Sequence, residues 1–275
     1  MAAVKGAGAG FVHSNAHTHT SLCDGQNTPA EMAAAAWQLG FESLGFSGHS
    51  FCPADGYGMG PAALAQYRQE VLALREEYRG RLAIYLGLEL DSLSEPPEAG
   101  LFDYLIGSVH NLVGPSGRVW PIDADLAETQ AAIADFGGVQ GYVRAYFAAV
   151  DEMLAVRPVQ IAGHFDLLCK YNAGGRLFDE SSPEYKKIAA AVLRRHCRNN
   201  KVIFEINTGA MCRGYLQRPY PDYWLWEILR EEKAWVMVNS DAHSAANLAY
   251  QLAEQTARAK NFGLRVVTLP ELLGV

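Results

Sequence analysis

Short apolar runs alternate along this chain with longer helix-patterned stretches, and nearly every apolar run is followed at once by a histidine or an acid. Residues 11–16 read as a first strand that delivers His17 and His19. Thr28 then caps a helix, Pro29 suits its first position, Glu31 completes a capping box and Gly40 ends it. Residues 43–46 form a second strand, with His49 after it. A helix over 62–78 leads to a strand over 82–86, with Glu89 just beyond, and a strand over 104–107 precedes His110. Residues 114–136 carry Gly, Pro and Asp and are too long for a plain connector, so they predict a lid or substrate loop. A helix over 139–156 and a strand over 159–162 precede His164. A helix over 183–198 and a strand over 202–206 precede Asn207 and Arg213. A helix over 223–232 and a strand over 234–238 precede Asp241 and His243. A last helix over 245–260 and a short strand over 264–267 finish the chain.

Strand–helix alternation predicts a parallel sheet. Parallel barrels collect their active sites at the C-terminal ends of the strands, and His19, His49, Glu89, His110, His164, Asp241 and His243 all fall there. In an extended strand, alternate side chains share a face, so His17 and His19 project together about 7 Å apart. Singly, each histidine reads equally well as a loop or core residue, and Asp24 as a turn residue before Gly25. Jointly they offer imidazole nitrogens and carboxylate oxygens, some able to bridge two ions, in a number too large for one four-coordinate metal. A cluster of two or three ions can bring a bound water to a pKa near ~7 and clamp the attacking and leaving oxygens of a displacement. Hydrolysis of a phosphate ester is the natural use.

Composition narrows the field. The chain has 275 residues, 49% of them hydrophobic and 19% charged, ample for the core of one large α/β unit. Its formal net charge is -7, with no basic stretch to form a nucleic-acid footprint. Five scattered cysteines without a CxxC pair read as reduced thiols in a cytoplasm. Residues 1–10 lack the apolar core of a signal peptide and read as a flexible extension, and no apolar run approaches membrane-spanning length. A single domain over 1–275, soluble and cytoplasmic, is expected.

The motifs H-T-H-T with Asp24, G-F-S-G-H-S, G-L-E-L-D, G-S-V-H, A-G-H-F-D-L and N-S-D-A-H-S resemble, in order and spacing, those of the polymerase-and-histidinol-phosphatase (PHP) superfamily. H-F-D-L-L-C-K-Y-N and E-I-N-T-G-A with the following R-G-Y and P-Y-P are similar to the histidinol-phosphate phosphatases within it. The resemblance implies a distorted (β/α)7 barrel holding three divalent metal ions, with zinc, manganese and iron all compatible. Carried over by position, His17, His19, Glu89 and Asp241 would hold one ion. Glu89 would bridge to a second, held also by His110 and His164, and Asp24, His49 and His243 would hold the third. A hydroxide between the first two would attack phosphorus. Arg213 and Lys170 would grip phosphate oxygens, and Asp24 or a metal-bound water would protonate the leaving alcohol. The implied activity is hydrolysis of L-histidinol phosphate, a small-molecule phosphate monoester, in histidine biosynthesis.

Other readings stand beside this one. A nucleotide phosphatase or phosphodiesterase on the same scaffold would use residues 114–136 or the aromatic region around 215–226 to hold a base or second ester. A polymerase-associated proofreading or binding domain would need a basic groove, which the sequence lacks. Asp166 is expected either to orient His164 or to cap a helix. His13 and His196 read as structural or solvated, and the arginines at 194, 195 and 198 as a wet helix face.

Overall fold

The computed structural model describes residues 13–53, 56–199 and 202–275. The expected first strand begins partly outside that range, as does the expected extension over residues 1–10. Ten strands are described: β1 Ser14–Asn15, β2 Ser43–Phe46, β3 Ala83–Asp91, β4 Tyr104–Ser108, β5 Asn111–Val113, β6 Val119–Pro121, β7 Ile161–Ala162, β8 Ile203–Asn207, β9 Trp235–Asn239 and β10 Arg265–Val266. The helices are α1 Pro29–Gln38, α2 Pro61–Glu77, α3 Leu126–Asp135, α4 Val139–Val156, α5 Pro183–Asn199, the single turn α6 Gly209–Cys212, α7 Tyr223–Glu231, α8 Leu252–Phe262 and α9 Leu269–Leu273.

Eight strands make one parallel sheet in the order β1-β2-β3-β4-β7-β8-β9-β10. The sheet curls until its ends meet at one rim. There the His19 amide donates to the Ala242 carbonyl at 2.9 Å and the Ala242 amide to the His17 carbonyl at 3.1 Å, a parallel bridge between Thr18 and Ala242. At the opposite rim the gap between β1 and β9 is filled instead by β10, which pairs with the start of β9, and by α9, whose Leu269 amide donates to the Ser14 hydroxyl. Seven strands therefore surround a distorted barrel, and the eighth wedges it open at the base.

The strand period of two sorts side chains between the two faces. Outward residues such as Leu44, Phe46, Leu86, Leu88, Phe204 and Val236 pack under the helices. Inward residues Ile106, Ile161, Ile203 and Met237 form a second apolar layer with Ala16, Tyr104 and Leu269. Tyr104 crosses this interior and its hydroxyl donates to the Ala16 carbonyl at 2.6 Å, directly beneath His17. It fits because the facing strands carry glycine: a Cβ at Gly87 would lie 2.3 Å from the Tyr104 ring, and one at Gly45 would lie 2.2 Å from its hydroxyl.

Helix α1 opens with the expected capping box, Glu31 amide to Thr28 hydroxyl at 3.3 Å and Thr28 amide to Glu31 carboxylate at 2.9 Å. Three expectations need correction. Glu89 lies inside β3 rather than beyond it, because the His49 loop extends the pairing of β2 with β3 through a bridge to Glu89. Residues 114–136, expected as a lid or substrate loop, hold regular structure: they complete the β5–β6 hairpin and form α3, started by the Asp125 side chain, which accepts from the Glu128 amide. The last helix is broken, with a short turn at Ala245–Asn247 separated from α8 by Gln251 in the left-handed region.

Replacing Gly87 by alanine is expected to cost about 1–3 kcal/mol, since an added methyl must displace a fully packed ring. Urea unfolding checks this, and an unchanged midpoint would show that Tyr104 moves aside freely.

Candidate metal centre

The sheet's C-terminal rim gathers nine side chains that the sequence singled out. Glu89, fully buried, stands at the middle with its two oxygens facing different neighbours. Its Oε1 lies 2.9 Å from His164 Nε2 and 3.3 Å from His110 Nε2, and it accepts from the Ser108 hydroxyl at 2.6 Å. Its Oε2 lies 3.0 Å from His49 Nδ1, 3.2 Å from His17 Nε2 and 3.5 Å from His19 Nε2. One carboxylate is thus shared among five imidazoles.

Asp241 Oδ1 approaches the same His19 and His17 nitrogens at 3.2 and 3.6 Å. Its backbone sits at a φ of 50°, a conformation costing a non-glycine residue on the order of 1 kcal/mol. Asp24 forms an outer group, 3.1 Å from His243 Nε2, 3.5 Å from His19 Nδ1 and 3.6 Å from His49 Nε2. His19 and His49 therefore each face two groups, one ring nitrogen toward Glu89 and the other toward Asp24.

Arg213 braces the cluster from α6's end. Its guanidinium donates to Asp241 Oδ2 at 3.0 Å and to the Asp241 carbonyl at 3.2 Å, and lies 3.1 Å from His243 Nδ1. Gly209 makes the room, because a Cβ there would stand 2.7 Å from Asp241 Oδ2 and 2.8 Å from Arg213 Nη2. Lys170 reaches the same cavity but bonds to residue 123, donating to its carbonyl at 2.7 Å and lying 3.3 Å from its carboxylate. The cavity, about 360 Å³, opens above the cluster and is also walled by Tyr57, Pro121, Ala124 and Leu167.

Electrostatics bind the group together. Burial would raise the Glu89 pKa, yet His17, His49 and His110 hold it well below the ordinary carboxylate range. Burial would likewise lower His110, but Glu89 and Asp91 push it up to about 10. His19 is driven down to about 3 by burial and by neighbouring His243 and His49.

Whether a metal fits can be read from the polar atoms. His17 Nε2, His19 Nε2 and Glu89 Oε2 are buried, face one another and make no hydrogen bond. Leaving such groups unpaired costs about 1–3 kcal/mol each, and a shared cation removes that cost. Among the described residues, three sets of ligand atoms lie within 4.8 Å of one another: His19, Asp24, His49 and His243; His17, His19 and Glu89; and His49, Glu89 and His110. Nitrogen and oxygen donors in this mixture suit divalent zinc, manganese or iron.

Sequence reasoning missed the residue that holds this set from below. Glu205 Oε1 lies 2.7 Å from His17 Nδ1 and accepts from Asn239 at 3.0 Å. Its Oε2 accepts from the His164 amide at 2.8 Å and from Asn207 at 3.0 Å. This contact turns His17 Nε2 toward Glu89, the arrangement by which carboxylates fix metal-binding histidines. The signal was present, a lone acid inside an apolar strand. Asp91, two residues beyond Glu89 on the same face, similarly accepts from the His110 amide at 2.9 Å. Asp166 does neither task expected of it: it pairs with Arg218 at 3.2 Å and accepts from the Asp222 amide at 3.1 Å, and its side chain makes no cap bond. His196 is buried against Asp151 at 2.8 Å, and the exposed Arg195 and Arg198 pair with Asp151 and Glu232.

The variant Glu205→Gln should keep its fold but hold metal about 10–100-fold more weakly. Metal content after dialysis against a graded chelator reads this directly. Retention equal to the wild type would remove Glu205 from the positioning role.

The family model of the PHP domain matches residues 13–209. The histidinol-phosphatase of Bacillus subtilis (strain 168) is 29% identical over 257 residues, spanning 85% of this chain and 94% of that protein. Among solved structures, hisK from Listeria monocytogenes has a TM-score of 0.76 at 19% identity, covering 87% of this chain and 98% of that one. Histidinol phosphate phosphatase from Lactococcus lactis subsp. lactis Il1403, complexed with Zn, L-histidinol and phosphate, has a TM-score of 0.65 at 18% identity, covering 94% and 96%. These two likenesses establish the shared fold, and the match to the family model establishes that the chain belongs to the PHP domain family.

Proposed function

We propose that this protein is a metal-dependent phosphomonoesterase that hydrolyses L-histidinol phosphate to L-histidinol and phosphate. The observation that carries the reading is Glu89, a buried carboxylate shared by five histidines at the floor of a cavity flanked by Arg213. Support for the substrate comes from the Bacillus subtilis relative, named a histidinol-phosphatase, and from the Lactococcus lactis structure bound to L-histidinol and phosphate.

In this reading His17, His19, Glu89 and Asp241 hold one divalent ion, Glu89 with His110 and His164 a second, and Asp24, His49 and His243 a third. When bound, such ions supply an acidified water and positive charge for phosphoryl oxygens. The chain's own residues do the rest. Glu205 and Ser108 fix His17 and Glu89, so the donors need no reorganisation. Arg213, half-buried beside the cavity, presents a planar cation suited to two phosphate oxygens. Burial opposes ionisation of Asp24, but contacts with His243 and His49 hold its pKa far below the usual carboxylate range.

The reading extends to the whole chain. We place residues 1–275 in a single catalytic domain acting in the cytoplasm, where the free cysteines 23, 52, 169, 197 and 212 stay reduced. No described helix is long and apolar enough to cross a membrane, and the formal net charge of -7 gives no support to a nucleic-acid partner.

A phosphate-release assay comparing L-histidinol phosphate with nucleoside monophosphates and simple monoesters tests the proposal. Preference for L-histidinol phosphate, lost on chelation and restored by divalent metal, is the expected result; preference for nucleotides would replace it with the nucleotidase reading. Glu89→Gln should lower turnover by about 10³-fold or more while the far-ultraviolet spectrum stays native. Full activity with full metal content would end the bridging role. Arg213→Ala should raise KM about tenfold or more, the loss expected for one charge-assisted contact to phosphate. An unchanged KM would confine Arg213 to bracing Asp241.

A further inference from the structure

The cavity wall carries four carboxylates, Asp24, Glu89, Asp241 and Asp123. The first three face histidines of the cluster. Asp123 does not: it sits in the turn between β6 and α3, on the wall formed by Pro121 and Ala124. Its backbone is pinned, since its carbonyl accepts from Lys170 Nζ at 2.7 Å and from the Tyr171 hydroxyl at 2.9 Å. That same hydroxyl, with its single proton shared between the two carbonyls, lies 2.6 Å from the Ala124 carbonyl.

The carboxylate itself is much less committed. Among the described residues its partner is Lys170 at 3.3 Å through Oδ2, longer than a strong charge-assisted bond of about 2.7–2.9 Å, and the side chain stays 26% exposed. Burial would raise its pKa, but Lys170, and more weakly His110, His49 and His164, lower it. A rigidly mounted carboxylate on the wall of a phosphate-binding cavity suits a substrate whose remaining part is cationic there.

We infer that Asp123 is a specificity-determining residue whose carboxylate pairs with the ammonium group of the leaving alcohol. The inference rests on the histidinol-phosphatase reading above and adds to it the group that reads the substrate beyond its phosphate. In L-histidinol phosphate the ammonium is attached to the carbon next to the one bearing the ester oxygen. With phosphate at the cavity floor, that cation lies close to the wall rather than out in solvent. Lys170 then acts mainly as the strut that holds the Asp123 turn in place, not as a phosphate clamp.

The test is a substrate–variant cycle using L-histidinol phosphate and its amine-free analogue, imidazolylpropyl phosphate. Wild-type kcat/KM is expected to favour the amine-bearing ester by about tenfold or more, a difference typical of one charge pair in a half-exposed site. Asp123→Asn, which keeps the backbone bonds, should reduce kcat/KM about tenfold more on the amine-bearing ester than on the analogue. It should also raise the inhibition constant of L-histidinol by a similar factor. Equal losses on both esters would overturn the inference and leave Asp123 a purely structural residue. So would a wild-type enzyme that does not distinguish the esters, whatever the fate of the variant. If the wild type instead fails to hydrolyse L-histidinol phosphate at all, the parent reading fails, and the two failures are told apart by that single control.

Discussion

A carboxylate taken fully out of water loses solvation worth several kcal/mol, and Glu89 recovers it only through the five imidazoles and one hydroxyl around it. Those partners come from strand β4 and from the loops after β1, β2, β4 and β7, which lie far apart in the chain. Only a sheet whose strands all run the same way can bring their ends to one place. The parallel register, the curl of the sheet and the Thr18–Ala242 bridge are what make that buried charge tolerable. Conversely, loss of the Glu89 carboxylate would leave His110 and His164 facing each other across 3.3 Å with no acid between them.

The layers beneath the rim explain why the donors stand where they do. Apolar residues fill the lower barrel, with α9 as its floor. Tyr104 spans the interior and ties its hydroxyl to the Ala16 carbonyl, fixing the backbone from which His17 and His19 rise. Glu205 sits between this apolar layer and the rim, and its four contacts hold His17 and His164 from opposite sides. The strained backbone of Asp241 and the missing side chain at Gly209 belong to the same construction, since both let a carboxylate and a guanidinium approach closely. Stability has been given up locally so that the donors converge.

How much of this could be read from the sequence depended on the range of the signal. Capping chemistry is local, so the start of α1 at Thr28 and Pro29 was legible to the residue. Strands β2 and helix α4 were equally clear because their apolar patterns end at glycine or proline. The placement of the histidines after strands was legible too, since the parallel barrel makes strand ends and site the same thing. Glu205 was not, because its role depends on contact with His17, 188 positions away. The partner of Asp166 was out of reach for the same reason, since Arg218 lies on another segment that no local pattern connects to it, as was the contact of Lys170 with Asp123. The segment over 114–136, read as a lid or substrate loop, does reach the cavity with Pro121, Asp123 and Ala124, but its Gly and Pro residues mark a hairpin turn and its Asp125 a helix start.

Convergence of buried donors on shared cations is the central claim, and thermal unfolding of metal-stripped protein during titration with zinc, manganese or ferrous ion tests it most directly. Uptake should exceed one ion per chain, and the unfolding midpoint should climb with free ion. The expected gain is about 2.7 kcal/mol once the ion stands at a hundredfold of its dissociation constant. A midpoint indifferent to all three ions, or a chain that takes up none, would contradict it.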